Sequence, residues 1–537
     1  MSATEFPVDW LDPSDAELSW EWDDMHMPAA LSALAADWVR TMGSGFAYGY
    51  ERLGVPAEIR TRVWNGYAYF ALATDVPESE RPAMWARRTE AARARIPFTE
   101  AYWHGVAIPE VRGIYAWIAA RPVETLPAAE LAETWDDVWT RVGRCWSIHF
   151  YAIRGPYQVL DDLADLYESI VENAAPGEAL ALIGGGIGEL QDVERRLEDL
   201  AALVAATPGL AERLVKAATT GATIADLAAF PGAAPFITRL EGFLAEHGHL
   251  GQNFDDLTLA SWGEEPELLL VELAKRVERP AVVGAEERRA GLAAKADALT
   301  ARVRTTLAGD REKLGRFDDL LAAARQIGPL TETHNYWIDR MSQASIRRFA
   351  LRVGRRLADA GSIAESADIF HLHRDEVPGF LHRPEDRRTV VQARKVELAR
   401  WASIRPPRKL GAPSEDAGGD RFDGARFTSS EPDELRGTGA SAGVARGRAR
   451  VTLTQADFAL VQPGDIIVCP SSNPSWVPLF AIAGGLITNT GGVLSHAAVV
   501  AREFGLPAVV GTGDATTRIA DGRLVELDGS SGSVRLL

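Results

Sequence analysis

The sequence predicts a multidomain α+β protein: a large, mostly α-helical N-terminal region over residues 1–405, a linker at 406–430 and a compact β/α domain at 431–537. Three observations predict it. Through the front of the chain, apolar residues recur at three- and four-residue steps, the spacing of a helix with one buried stripe. The stretch PPRKLGAPSEDAGGDRFDGARFTSS then loses that period to Pro, Gly, Ser and mixed charge. Beyond it, short β-like runs alternate with two short helical candidates.

The helical reading rests on particular stretches. In LQDVERRLEDLAALVAATPGL, Leu190, Val193, Leu197, Leu200 and Val204 share one face, and Thr207-Pro208-Gly209 stops the helix. The same periodicity runs through LLLVELAKRV and through ASIRRFALRVGRRLADAG, where Gly361 is placed as a C-terminal stop. No repeat of fixed period is present. As a flexible coil, the linker's residues span roughly 27 Å. After it, GVARGRARVTL, DIIVCP, GLITNT, PAVVG, RLVELD and SVRLL read as strands, with PSWVPLFAIA and HAAVVAREF as helices.

Composition bounds the function. The 537 residues are 46% hydrophobic and 25% charged, ample for large cores. A formal net charge of −18 argues against a nucleic-acid backbone or an anionic membrane as partner. No stretch approaches the length of an apolar membrane span, and MSATEFPVDWLDPSDAELSWEWDD has neither the basic nor the apolar part of a signal peptide. The cytoplasm is the expected compartment, with Cys145 and Cys469 as two buried thiols rather than a disulfide.

The chemistry gathers at TGGVLSHAAVVAREFGLPAVVG, residues 490–511. Ser495 is a good N-cap, His496 the first helical residue, and Gly505 with Pro507 the exit. Gly491 and Gly492 let backbone approach a ligand, and a helix mouth with unpaired amides favours an anion. An imidazole there serves as a general acid–base or as a nucleophile toward phosphorus; equally, a histidine can simply satisfy a helix end. Thr490, Gly491, Gly492, Ser495 and, if it reaches back, Arg502 are the candidate phosphate-binding residues.

Thr490-Gly491-Gly492-x-x-Ser495-His496-Ala497-Ala498, followed by Ala501-Arg502-Glu503-x-Gly505-x-Pro507-Ala508-Val509-x-Gly511, resembles the phosphohistidine segment of phosphoenolpyruvate-utilising enzymes. Ser472-Asn473-Pro474 departs from the Thr-Asp-Pro run many members carry. The resemblance implies that residues 431–537 are a swivelling β/β/α phosphohistidine domain and that His496 carries the phosphoryl group. A carrier between distant sites must move, which suits a linker at 406–430.

A donor site is missing from this reading. No Walker loop is present, and IGGGIGEL, the conspicuous glycine cluster of the front part, lacks the lysine and reads as an inter-helix turn. The expectation is that this chain binds no cofactor stably, and that ATP and Mg²⁺ sit on a separate ATP-grasp-type subunit. Weaker echoes, SWEWDDMHMPAALS, HGHLGQNFDDLTLASWGEEPELLL and GRRLADAGSIAESADIFHLHRDEV, resemble the rifampin phosphotransferase type. LTETHNYWIDR resembles the phosphohistidine subunits of split, phenol-activating phosphotransferases of the phenylphosphate synthase kind.

These echoes imply that residues 1–405 bind the acceptor. Eleven of the fifteen tryptophans lie in the first 146 residues, and large flat side chains either line a pocket for an aromatic alcohol or fill cores between helices. Candidates for the base that activates the acceptor hydroxyl are His26, His149, His247, His249, Asp256 and His334. His371 and His373 lack an evident third ligand, so no metal is expected and both read as surface residues. A small phenolic acceptor is the first expectation. A non-aromatic natural-product or antibiotic hydroxyl, and a non-catalytic phosphocarrier or regulatory subunit, are the alternatives.

Overall fold

The dipeptide Asn65-Gly66 joins RTRVW to YAYFALA, and both residues adopt positive φ, 53° and 81°. That is the tight turn whose twist matches a hairpin, so β2 (Glu58–Trp64) folds back on β3 (Tyr67–Ala73) with Trp64 opposite Tyr67. The computed structural model describes residues 6–24, 26–174, 177–185, 188–221, 223–251, 256–278, 284–413, 433–453, 455–472, 476–480, 482–493 and 495–537. Strand β1 (Ser19–Trp22) and strand β4 (Lys409–Gly411) complete an antiparallel sheet in the order β2-β3-β1-β4.

The front of the chain is mostly helical, as expected, with this sheet among its helices, and Lys409–Gly411 of the segment expected to be linker pair into the sheet. Aromatic burial explains that pairing. Trp20, Trp64, Tyr67, Tyr69 and Trp401 share one core, with Trp20 and Trp64 edge-to-face at 4.9 Å. The Tyr67 hydroxyl donates to the carbonyls of Trp401 and Ile404, and the Tyr69 hydroxyl to that of Pro407. These bonds strap residues 401–411 down. The rest of the expected linker lies mostly outside the described residues.

The chain divides into two interleaved compact units: Met1–Gln158, Phe254–Leu259 and His334–Gly418 form one, and Val159–Asn253, Ala260–Thr333 and Gly419–Leu537 the other. The first holds the sheet above and the helices Ala33–Arg52, Ala128–Ala152 and Met341–Asp359. Gly361 ends the last of these at φ 77°, as its position suggests. In the second unit the helix Glu189–Ala206 stops at Thr207, and Pro266–Glu278 and Ala285–Thr306 follow.

The C-terminal part of the second unit is an eight-stranded sheet in the order β5-β12-β11-β7-β8-β9-β10-β6. Its strands are β5 (Glu434–Arg436), β6 (Thr438–Ser441), β7 (Val444–Val451), β8 (Ile466–Cys469), β9 (Gly485–Thr488), β10 (Ala508–Val510), β11 (Leu524–Asp528) and β12 (Ser533–Leu536). Strands β7 to β10 run parallel and the outer ones antiparallel. Strands β8, β9 and β10 are buried along their whole length, which is why they read as unbroken apolar runs. The small residues Ala497, Ala498, Val500 and Ala501 let the helix His496–Phe504 press close to one face of this sheet. Cys145 and Cys469 are both free and buried. Among the described residues, no helix is long and apolar enough to cross a membrane.

Candidate functional site

The turn that delivers His496 is built from backbone. Strand β9 ends at Thr488, whose hydroxyl donates to the Thr490 carbonyl at 2.6 Å. Thr490, 1% exposed, donates through both its amide and its hydroxyl to the Pro470 carbonyl at 3.1 Å. Gly491 follows at φ 106°, and a Cβ there would stand 2.7 Å from Ser495 Oγ. Only glycine fits. Ser495 donates its amide and hydroxyl to the Gly492 carbonyl, and its Oγ accepts the Ala498 amide as the N-cap. His496 is therefore the first residue of the helix, and Gly505 closes it at φ 62°. The imidazole of His496 lies outside the described side chains, as do Asn473 and Pro474.

Arg502 has a different geometry from the one its sequence position suggests. Its guanidinium donates to the carbonyls of Ala440 and Val493, at 3.0 and 2.6 Å. From the last turn of the helix it thus ties down the loop that precedes the first turn, bracing the helix mouth from behind. Within the same unit, Arg288 lies over the Phe504 ring at 4.4 Å and Lys275 over Phe458 at 5.3 Å.

The base candidates separate. His26 is half-exposed, with Nδ1 3.0 Å from Asp23 Oδ1. His247 and His249 are buried in the second unit, and burial holds the His247 imidazole below its ordinary pKa. Asp256 closes a local turn: its carboxylate accepts the Thr258 amide and its carbonyl accepts the Gln343 side chain. His371 and His373 are half-buried rather than surface residues. Leu372 between them is fully buried, and His373 Nδ1 meets Asp37 Oδ2 at 3.2 Å.

Two of the candidates do come together. His149 Nδ1 lies 2.8 Å from Asp339 Oδ1, and the His149 and His334 rings meet edge-on at 4.5 Å. Asp339 escaped the sequence reading because it stands five residues after His334, a spacing that no α-helix places on one face. The chain solves this with a π-helical turn at Asn335–Arg340, which a sequence does not announce. The expectation of no metal considered only His371 and His373; these three side chains are a different set, close enough together to hold a cation.

Burial favours the core over the pocket for most of the tryptophans. Of the eleven in the first 146 residues, Trp20, Trp22, Trp38, Trp64, Trp103, Trp135, Trp139 and Trp146 are buried. They fill cores.

Comparison with known proteins finds two family matches, both in the second unit. Residues 461–532 match the PEP-utilising enzyme mobile domain, and residues 161–332 match the rifampicin phosphotransferase fourth domain. The latter coincides with the helical part of the second unit. The chain is 31% identical over 99% of its length to chondramide synthase cmdD of Chondromyces crocatus, where it covers 14% of that protein. It is 35% identical over 39% of its length to the uncharacterized phosphotransferase YvkC of Bacillus subtilis, covering 26% of it. It is 33% identical over 58% of its length to the rifampicin phosphotransferase of Streptomyces sviceus, covering 36% of it. The chain thus spans between about a seventh and a third of the length of these relatives.

Proposed function

For a chain that carries a PEP-utilising enzyme mobile domain beside a rifampicin phosphotransferase fourth domain, we propose phosphotransfer through His496 to the hydroxyl of a small acceptor. The observation that carries this reading is the helix mouth: a Ser495-capped turn, held open by Gly491 at positive φ, delivers His496 as the first helical residue. Its backbone amides and the positive end of the helix dipole suit a phosphoryl group.

In the first step an imidazole nitrogen of His496 attacks phosphorus, and the bond to the donor's leaving oxygen breaks. That oxygen keeps the electron pair. In the second, the acceptor oxygen attacks the phosphohistidine, the N–P bond breaks, and the acceptor proton passes to a base while the imidazole is restored. The donor is an ATP-grasp-type subunit that binds ATP with Mg²⁺. Between the steps the domain pivots. The Arg288–Phe504 and Lys275–Phe458 contacts, about 0.5–2 kcal/mol each, are among those the pivot releases. His26 is the accessible base, oriented by Asp23 as a carboxylate orients a catalytic imidazole.

The acceptor is a small hydroxyl compound, and the two classes separate by experiment. Tryptophans spent in cores weaken the case for a phenol, while relatives named for rifampicin favour a natural-product hydroxyl. The test incubates the chain with an ATP-grasp protein, ATP, and either simple phenols or hydroxylated natural products. Multiple turnovers to a phosphorylated product identify the class. A chain that is labelled but passes nothing to either class is a carrier, and the transferase reading fails.

A further inference from the structure

We propose that His149, His334 and Asp339 bind one divalent first-row transition-metal ion inside the first unit, at a site separate from the helix mouth and independent of the phosphotransfer reading. The three residues come from chain segments almost two hundred positions apart, and the fold makes three distinct arrangements to join them. First, the helix Ala128–Ala152 brings His149 inward, 7% exposed, near its C-terminal end. Second, the short helix Leu330–His334 opens into the π-helical turn Asn335–Arg340 before Met341–Asp359 resumes the α-helix. In a continuous α-helix, residues five apart point about 140° away from one another. The wider i→i+5 turn swings Asp339 back beside His334.

Third, the wide turn is pinned. The Tyr115 hydroxyl donates to the Trp337 carbonyl at 2.9 Å, and the Ser342 hydroxyl donates to the Ile338 carbonyl. The first bond comes from another helix and the second from the helix that follows, where the Ile338 carbonyl also accepts the Met341 amide. Single π turns recur at functional sites, where they re-aim side chains. Here the re-aimed side chains are two ligand-type residues, 4% and 5% exposed.

The donor geometry suits a cation. One ligand atom from each residue lies within 4.8 Å of the others. His149 Nδ1 and Asp339 Oδ1 are 2.8 Å apart, a hydrogen bond; neighbouring ligands on an ion with bonds near 2.1 Å stand about 3.0 Å apart in octahedral and about 3.4 Å in tetrahedral geometry, so an ion asks the pair to separate by only a few tenths of an ångström. A lone His–Asp pair needs no second imidazole, yet His334 stands edge-on at 4.5 Å from His149. Two imidazoles and one carboxylate select zinc, iron, cobalt or nickel over magnesium or calcium, which prefer oxygen. Three protein ligands leave room for a water or substrate oxygen. Burial keeps a bulky organic ligand out and admits an ion. Beside the set, Trp146 packs at 5.1 Å from His149, and its buried indole nitrogen has no hydrogen-bond partner among the described residues.

The test uses the whole chain, stripped with a chelator and titrated with Co²⁺. The expected result is one Co²⁺ per chain with visible absorption of nitrogen–oxygen coordination, quenching of tryptophan emission, and displacement by Zn²⁺. Asp339→Asn and His334→Gln should each weaken Co²⁺ at least tenfold, with far-ultraviolet dichroism unchanged. A His371→Gln/His373→Gln double variant should keep the full equivalent. A wild-type chain that takes up no stoichiometric Co²⁺ or Zn²⁺ overturns the proposal, as does undiminished binding in both single variants. If those variants fail to fold, X-ray absorption of the Co²⁺-loaded wild type decides: two imidazole ligands support the site, and fewer than two overturn it.

Discussion

Two histidine environments in this molecule are built in opposite ways. At the C-terminal domain's helix mouth the surroundings of His496 are backbone: a glycine at φ 106°, a serine cap, and amides at the start of a nine-residue helix. Around His149 they are side chains: a second imidazole and a carboxylate, buried where helices cross. The first presents the positive end of a helix dipole and suits an anion; the second presents lone pairs and suits a cation. The difference teaches that residue type alone does not assign a histidine's chemistry. Its neighbours' polarity does.

That comparison can be broken at several points. The largest effect belongs to Asp339→Ala, which removes the carboxylate facing a buried imidazole. A loss of about 2–3 kcal/mol in urea unfolding is expected, and an unchanged midpoint would mean that the side-chain site is not integrated into its core. Gly491→Ala comes next. The new Cβ meets Ser495 Oγ at 2.7 Å in a conformation that L-residues avoid, so about 1–3 kcal/mol of strain should appear as lower stability together with slower labelling of His496. Ser495→Ala should cost about 1 kcal/mol through the lost cap, read in the same melts.

The smallest effect is one of pH. Burial, the leading cause, lowers the pKa of both His247 and His371 from the ordinary 6.5, and for His371 the nearby Lys395 acts in the same direction. The unfolded chain then binds more protons than the folded one at pH values just below 6.5, so stability falls as the solution is acidified through that window. Thermal melts from pH 7.5 to 5 should show the decline, and His247→Gln should flatten part of it. A melting point that rises on acidification would contradict the assignment.

What the sequence disclosed follows from range. The helix from Glu189 to Ala206, the strands β7 to β12, and the Ser495 and Gly505 boundaries are local patterns, each carried by a few neighbouring residues. The hairpin at Asn65-Gly66 is equally local, since that dipeptide between alternating apolar runs is a strong turn signal, but it stands within otherwise helical texture. The strap at 401–411 was not local. It depends on Tyr67 and Tyr69 reaching carbonyls more than three hundred residues away. His149 and His334 are legible as candidates, but their meeting with Asp339 is not, because the π turn that sets Asp339 beside His334 leaves no period to read and His149 arrives from a distant helix. The interleaving of two units escaped for the same reason: each return of the chain is decided by packing, not by composition.

The most direct test of the central claim is the chemistry of the label. Mixed with an ATP-grasp protein and ATP labelled in the transferable phosphates, the chain should yield one acid-labile, base-stable phosphate per chain, mapped by fragmentation to His496 and absent from His496→Ala. A label that persists in His496→Ala, or one that survives acid as a phosphoester does, would contradict the account.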